Sequence, residues 1–231
     1  TQPFLKVNLR GERFTLESAD YDYLPHAAAQ QPGGVYVSVW DGKFGDDVQR
    51  FHTLGCSAGT RNGVLAFKNE DGSYDLDGYF EKELADGRLQ KADTLEELAQ
   101  AMIDYADEQP WSHELTVEAV VASIERYNEL VAAGSDDDFG KRPEYLVPIE
   151  APCYAVPRGA NNIDAMLDGL EVDGNYQCLD ADRMPIEGLF AVGNASGPFF
   201  GGANYPMDIE GLSIGRAITT GFVTGRYVAG L

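Results

Sequence analysis

Residues 188–217, GLFAVGNASGPFFGGANYPMDIEGLSIGRA, restrict the fold of this chain more than any other passage. A short apolar run enters a stretch dense in glycine, and the residues that follow have the pattern of a helix start. Glycine has no Cβ, so such a backbone can lie directly against a flat ligand. The unpaired N–H groups of a helix N-terminus favour anionic or electron-rich groups. The passage predicts either a ligand-binding loop, with Asn194 as a polar contact, or a tightly packed turn that binds nothing.

A fingerprint for the pyrophosphate of a dinucleotide is missing from the sequence. No GxGxxG follows a strand-like segment, and GCSAG at residues 55–59 has neither the spacing nor the strand–helix context. If a dinucleotide binds here, we expect the other half of its site to lie outside this chain.

Two long helices are the clearest elements in the sequence. DTLEELAQAMIDYA, at residues 93–106, begins with Asp93 or Thr94 as N-cap and has an acidic residue three positions on. TVEAVVASIERYNELVAAG, at residues 116–134, predicts a second helix that Gly134 ends. Its expected apolar face comprises Val117, Val120, Val121, Ile124, Tyr127 and Val131.

Strand signals surround these helices. Alternating apolar and polar residues over 4–18 predict a hairpin, and VYVSVWD at residues 35–41 predicts a strand. Residues 42–87 read as loops with short elements, because glycines and acidic residues interrupt them. The hairpin places Leu5, Val7 and Leu9 on one face.

The last third of the chain has shorter elements. An acidic, proline-bearing connector at residues 135–152 places a domain boundary near residue 150, and CYAVPRG follows as a strand. DGN at residues 173–175 predicts a tight turn, and LFAV at residues 189–192 a buried strand. The final helix is expected from about Gly211.

Charge excludes several classes of partner. The 38 acidic and 17 basic residues give a formal net charge of −21, which disfavours binding to nucleic acid and to anionic membrane surfaces. No run approaches the roughly 18 to 20 apolar residues of a membrane span, and no signal peptide is visible. The compartment of the protein is therefore left open.

The cysteines and histidines indicate no metal site. The cysteines form no CxxC pair, so they are expected to be buried reduced thiols, and the scattered histidines to be structural. The aspartates Asp20, Asp22 and Asp136–Asp138 are most simply solvated surface. The cysteines are Cys56, Cys153 and Cys178, and the histidines are His26, His52 and His113.

Several ordered motifs carry a family resemblance. The last part of the chain resembles the C-terminal end of the fumarate reductase and succinate dehydrogenase flavoproteins, a family that includes ketosteroid dehydrogenases. The motifs that carry this resemblance are GLFAVGN, GGANYP and GLSIGRAITTGFVTGRYVAG. The earlier part of the chain resembles that family's substrate-capping domain and its return to the flavin domain. The motifs are VNLRGERFTLE, QPGGVYVSVWD, DTLEELA, IERYNELVAAGSDDDFG and LVPIEAPCYAV. The resemblance covers nearly the whole chain.

The resemblance implies an α+β protein of two parts. Residues 1–150 would be an α/β substrate-capping domain. Residues 151–231 would be an incomplete C-terminal segment of a Rossmann-like FAD-binding domain, whose N-terminal nucleotide-binding half is absent from this chain. The missing segment would be a required partner, and a redox donor protein or domain a possible one. We expect the chain alone to bind FAD weakly and to be inactive.

FAD is the cofactor that the resemblance implies. Gly193 and Asn194 would lie against its ribityl chain, and the helix start at Gly211 would direct N–H groups at the pyrimidine edge of the flavin ring, where the reduced ring carries negative charge. The residues implied to contact FAD are Gly193, Asn194, Ala195, Gly202, Ala203, Gly211, Leu212, Ser213 and Ile214.

The chain departs from the family at the substrate. Tyr205, in GANYP, stands where fumarate reductases have the arginine of GANR, and Tyr21 is nearest to the place of their proton-donating arginine. The family's histidine pair is replaced in RGANNIDAML, which leaves Arg158 and Asn161 or Asn162 as polar groups. A phenol cannot replace the bidentate grip of a guanidinium on a carboxylate. The site therefore looks unsuited to a small dicarboxylate.

The leading hypothesis is part of an FAD-dependent oxidoreductase that reduces or forms a C=C bond conjugated to a carbonyl, by hydride transfer through flavin N5. Tyr205 would bind the carbonyl oxygen of an uncharged or weakly charged enone. Tyr21 would handle the proton, and Arg158 and Asn161 would contact the substrate.

Two alternatives remain at this stage. In the first, the protein reduces a small unsaturated carboxylate as fumarate reductases do, with Arg158 or Arg61 in place of the lost guanidinium groups. In the second, the chain is a non-catalytic remnant that binds a partner.

Overall fold

A computed structural model describes most of the chain, and its contacts divide it into two compact units, Thr1–Asn162 and Ile163–Leu231. Helices and strands are mixed in it, which confirms the fold class at that level. The predicted boundary near residue 150 concerns functional domains and stays a prediction. The described residues are 2–19, 23–51, 57–159, 168–197, 199 and 211–231, without the side chains of 57–59.

The first unit is built on an antiparallel sheet in the order β1-β2-β4-β3. The predicted strands at residues 35–41 and 153–159 are confirmed as β2 and β4. β1 pairs with β2 rather than with the residues that follow it, which form only an isolated bridge between Val7 and Arg13. The first strand of the predicted hairpin and the reversal of the chain at Gly11 are confirmed, whereas the predicted return strand is wrong. The strands are β1 Leu5–Asn8, β2 Val35–Asp41, β3 Gln90–Ala92 and β4 Cys153–Gly159.

Helices cover both faces of this sheet. They are α1 Tyr23–Ala29, α2 Phe44–Arg50, α3 Ser57–Leu65, α4 Leu76–Tyr79, α5 Glu81–Ala85, α6 Leu95–Asp107 and α7 Val117–Ala133. The two long helices are as predicted. Thr94 caps α6 by accepting a hydrogen bond from the N–H of Glu97 at 3.1 Å, and Gly134 ends α7 in the left-handed conformation.

Alternation along the strands separates two hydrophobic cores. Leu5, Val7 and Val39 point to the side of α6 and α7, whereas Phe4 and Trp40 point to the side of α2 and α4. The second core is aromatic, and it explains why the loop prediction for residues 42–87 is wrong. Helices this short are marginal alone and are stabilised by packing, which a local pattern does not reveal.

A buried ionic cluster joins distant parts of the first unit. Arg13 donates hydrogen bonds to Glu17 at 2.8 and 2.9 Å and to Asp136 at 2.9 and 2.7 Å. Lys141 lies 3.2 Å from Glu17. Burial opposes ionisation of Asp136, but the hydrogen bonds from Arg13 outweigh it and hold the pKa of Asp136 well below its usual range. The expectation that Asp136 is solvated surface is wrong.

The second unit has a small two-stranded sheet and a long helix in its described residues. They are β5 Gln177–Leu179, β6 Pro185–Phe190 and α8 Leu212–Val228, with a 3-10 turn at Gly193–Ala195. The turn predicted at residues 173–175 is confirmed by a hydrogen bond from the N–H of Tyr176 to Asp173 O at 3.1 Å. Leu189 and Val192 are exposed, so the buried-strand prediction for LFAV is wrong. Within the described part of this unit, β6 pairs only with β5 and no second layer covers its outer face.

Two predicted thiols are confirmed. Cys153 and Cys178 are free and buried, while Cys56 lies outside the described residues. No helix in the described ranges combines the length and apolar character needed to cross a bilayer.

Candidate functional site

The site that the sequence predicted begins at the N-terminus of α8. Gly211 is the N-cap, with a φ of +75° that favours glycine, and no side chain among the described residues caps this end. Gly211 and Ile214 are exposed, and a Cβ added at Gly211 or Gly215 would meet nothing within 4 Å in the described structure. Among the described residues, nothing covers the first N–H groups of α8 or the space beside Gly211 and Gly215.

The glycine of GNASG brings its turn against α8. Gly193 has a φ of +59°, and its N–H donates to Thr220 Oγ1 at 2.9 Å. A Cβ at Gly193 would lie 3.2 Å from the Cβ of Ala217. Both the backbone conformation and the close approach require glycine here, so the turn and the helix form one local structure.

Asn194 lies at the surface beside the start of α8. Its Oδ1 accepts a hydrogen bond from Ser213 Oγ at 3.0 Å. The amide N–H groups of Asn194 make no hydrogen bond to a described residue, and the side chain is exposed. Asn194 and Ser213, both predicted to contact FAD, are therefore neighbours, and their contact with the cofactor stays a prediction.

Arg216, near the start of α8, supports the 3-10 turn at Gly193–Ala195. Sequence reasoning missed this residue. Its guanidinium is nearly buried, donates to the backbone oxygen of Ser196 and to Ser196 Oγ at 2.8 Å, and lies 4.5 Å from the ring centre of Phe199. Ser196 Oγ in turn donates to Gly193 O at 2.8 Å. These bonds fix the turn that carries Asn194.

The side chains of α8 that are buried within this chain are polar. Arg216, Thr220 and Thr224, spaced four residues apart, are buried. The apolar face is exposed instead, with Ile214 at 69%, Ile218 at 68% and Phe222 at 65%. This four-residue spacing of polar side chains in an otherwise apolar helix was the signal for Arg216.

The remaining predicted site residues divide into two groups. Arg158 is exposed at the end of β4 in the first unit, where it lines a cleft together with Lys6 and Tyr36. Burial lowers the pKa of Lys6 to about 7. Five predicted residues lie outside the described residues, namely Tyr21, Asn161, Gly202, Ala203 and Tyr205.

The donors at the start of α8 fit the implied cofactor. The backbone N–H groups at Gly211 and the amide of Asn194 are hydrogen-bond donors, and an electron-rich ring edge or a polyol chain offers acceptors to them. No described residue occupies the space beside Gly211 and Gly215, so the described structure admits a flat ring there. The described residues of this unit are thus compatible with a flavin at this end of α8.

Comparison with known proteins finds relatives that match nearly the whole chain. Vinyl phenol reductase of Lactiplantibacillus plantarum is 31% identical over an alignment 232 positions long, which covers 99% of this chain and 43% of that protein. Urocanate reductase of Eggerthella lenta is 27% identical over 225 residues, which are 97% of this chain and 30% of that protein.

A solved structure is similar in fold. It is 3-ketosteroid Δ1-dehydrogenase of Sterolibacterium denitrificans in complex with 1,4-androstadiene-3,17-dione, with a TM-score of 0.67 and 23% identity. The match covers 99% of this chain and 39% of that one. The chain therefore spans less than half the length of each of these relatives.

A family model settles the assignment. The model described as FAD binding domain matches residues 4–205. It confirms the recognition of a flavoprotein of the fumarate reductase and ketosteroid dehydrogenase type and the prediction of FAD. The chain belongs to the FAD binding domain family.

Proposed function

We propose that the whole protein is an FAD-dependent oxidoreductase that reduces or forms a C=C bond conjugated to a carbonyl. The observation that carries the proposal is the exposed start of α8 beside Asn194, with no side-chain cap among the described residues. Membership in the family supports the cofactor. Two relatives are named as reductases of vinyl phenol and of urocanate, which supports the reaction class.

The proposed architecture follows the family resemblance. Residues 1–150 form the substrate-capping domain, residues 151–231 belong to a Rossmann-like flavin domain, and β4 is the strand by which the chain passes between them. A segment of the whole protein outside this chain holds the pyrophosphate of FAD, since the sequence has no GxGxxG.

The flavin contacts come from the turn and from α8. The amide of Asn194 donates to the ribityl chain, and the first N–H groups of α8 stabilise negative charge at the ring edge. When bound, FAD supplies hydride transfer at N5 of its ring. The proposed contacts are Gly193, Asn194, Ala195, Gly202, Ala203, Gly211, Leu212, Ser213 and Ile214.

Two tyrosines carry the substrate chemistry in this proposal. The hydroxyl of Tyr205 donates to the carbonyl oxygen of the substrate, where negative charge develops. The hydroxyl of Tyr21 holds or delivers the proton at the carbon that does not receive the hydride. Arg158 and Asn161 orient the polar end of the substrate.

The test is made on the longest natural protein that contains this chain. We expect its visible spectrum to contain bound flavin and the protein to reduce a cyclic enone. Tyr205→Phe should lower kcat by about 10²–10³ with the flavin spectrum unchanged. Tyr227→Phe, at the exposed end of α8, is the matched control and should leave the rate unaltered. Rapid turnover of fumarate that Tyr205→Phe leaves untouched would refute the substrate assignment.

A further inference from the structure

Arg216 is a charged side chain that α8 holds nearly buried. It is 9% exposed, whereas Arg226, ten residues later on the same helix, is exposed. Burying a guanidinium costs free energy unless hydrogen bonds and packing compensate. At Arg216 both kinds of compensation come from the segment that carries Asn194, as its contacts show.

The guanidinium binds Ser196 at two atoms. Its Nη2 donates to the backbone oxygen of Ser196 and to Ser196 Oγ, the latter at 2.8 Å. Its Cζ lies over the ring of Phe199, 4.5 Å from the ring centre. A lysine would keep the charge, but it has no planar group to stack on the ring, and its amine lies one bond nearer to the backbone than Nη2 does.

Ser196 connects this contact to the peptide before Asn194. Ser196 is fully buried, and its Oγ, which accepts from Arg216, donates to Gly193 O at 2.8 Å. The N–H of Ser196 donates to the same oxygen at 3.2 Å. Because the carbonyl of Gly193 belongs to the peptide that enters Asn194, the contact with Arg216 fixes the backbone on that side.

The other side of Asn194 is fixed independently. The N–H of Leu170 donates to Ala195 O at 2.9 Å. Ser213 Oγ donates to Asn194 Oδ1 at 3.0 Å, so the oxygen end of the amide is set as well. The direction of the amide N–H groups of Asn194 then depends on the peptide that Ser196 and Arg216 hold.

We propose that Arg216 is a positioning residue, which by binding Ser196 orients the amide of Asn194 toward the ribityl chain of FAD. The inference rests on the proposed function, which assigns the ribityl contact to Asn194 and gives Arg216 no role. A donor that is already held in its bound orientation binds more tightly, because less freedom is lost on binding.

The test measures the dissociation constant for FAD of the longest natural protein that contains this chain, after its flavin has been removed. Arg216→Lys keeps the charge and should weaken FAD binding about tenfold. Arg226→Lys is the matched control, because Arg226 stacks on Phe222 at 5.8 Å on the same helix but is exposed. It should leave the dissociation constant unchanged.

A double-mutant cycle with Asn194→Ala separates positioning from a general loss of stability. If Arg216 acts through Asn194, the double variant should bind FAD about as weakly as the weaker of the two single variants. Losses that multiply in the double variant would overturn the proposal. So would an Arg216→Lys protein that binds FAD as tightly as the parent.

Ser196→Ala breaks the same connection without altering the cation. It removes the hydroxyl that joins Arg216 to Gly193 O, so it too should weaken FAD binding, and unchanged binding would overturn the proposal. Hydrogen exchange of the flavin-free protein gives a readout that needs no cofactor. Residues 191–197 should exchange faster in Arg216→Lys than in the parent, while α6 and α7 keep their rates.

Exchange of residues 191–197 at the parent rate in Arg216→Lys would show that the cation does not hold the turn, and would also overturn the proposal. A parent protein that binds no FAD would contradict the proposed function itself. Losses that multiply in a parent that does bind FAD would contradict this inference alone.

Discussion

Arg13 and Asp136 form a two-point ion pair, with hydrogen bonds of 2.9 and 2.7 Å, across 123 residues of sequence. Both side chains are buried, and Arg13 binds Glu17 in the same way from its other side. The pair fixes the turn after β1 to the segment after α7.

Removal of the Arg13 guanidinium should be strongly destabilising, because it leaves buried Asp136 without a cation among the described residues and Glu17 with Lys141 alone. We expect Arg13→Met to lower the free energy of unfolding by about 3–5 kcal/mol, measured by urea denaturation. Arg126 contacts Asp138 and Glu129 at the exposed surface, so Arg126→Met should leave the midpoint nearly unchanged. If the two variants lost similar amounts of unfolding free energy, burial of the ion pair would not explain the cost of removing the cation.

Asp47 should make stability depend on pH in the neutral range. Burial and the charge of Asp41 raise its pKa from 3.8 to about 7. The folded state therefore holds this proton more tightly than the unfolded state. Its stabilising contribution is complete below pH 3.8 and is lost as the pH rises through about 7.

Asp47→Asn, which resembles the protonated form, should then be more stable than the parent by about 1–2 kcal/mol at pH 8. The advantage should shrink between pH 7 and pH 4 as the parent carboxylate becomes protonated. Asp46→Asn, at an exposed position of the same helix, should show no such pH-dependent gain. Thermal unfolding at several pH values measures the difference, and a constant offset at all of them would refute it.

Gly193 should tolerate no side chain. Gly193→Ala forces a left-handed backbone on alanine and a contact with Ala217, which should cost about 1–3 kcal/mol. Gly225→Ala, inside α8 with nothing within 4 Å, should instead stabilise the helix by up to ~1 kcal/mol. Hydrogen exchange of the α8 amides measures both effects. Unchanged protection in Gly193→Ala would show that the turn does not hold the helix.

Cys153 should be inert in the native protein. It is fully buried, and burial raises the pKa of its thiol to about 11. In a variant with Cys56→Ser and Cys178→Ser, an aromatic disulfide reagent at pH 8 should react only after urea is added. Rapid reaction without urea would mean that β4 opens readily.

Local signals predicted part of this fold well. Thr94, Thr116 and Gly134 mark the ends of α6 and α7 by side-chain caps and a left-handed residue, and these are short-range features. β2 and β4 were visible because β-branched and aromatic residues cluster there. Leu130 was missed on the buried face of α7.

What escaped prediction depends on distant partners. Three successive aspartates are typical of a solvated loop, and nothing near Asp136 announces that Arg13 binds it. The burial of Arg216 likewise depends on a turn about twenty residues earlier, where its guanidinium donates to Ser196. The hydrogen bond between Ser213 and Asn194 was not predicted, and the roles of Asn194, Ser213, Tyr21 and Tyr205 stay predictions.

The position of β4 between β2 and β3 has a consequence for biosynthesis. Strand β4, Cys153–Gly159, pairs with β2 on the side away from β1, and it is the only described partner of β3. It is synthesised more than a hundred residues after β2 is complete. At translation rates of about 5–20 residues per second, the edge of β2 is left unpaired on the ribosome for on the order of ten seconds. Nascent chains halted in that interval should be the ones that depend most on chaperones.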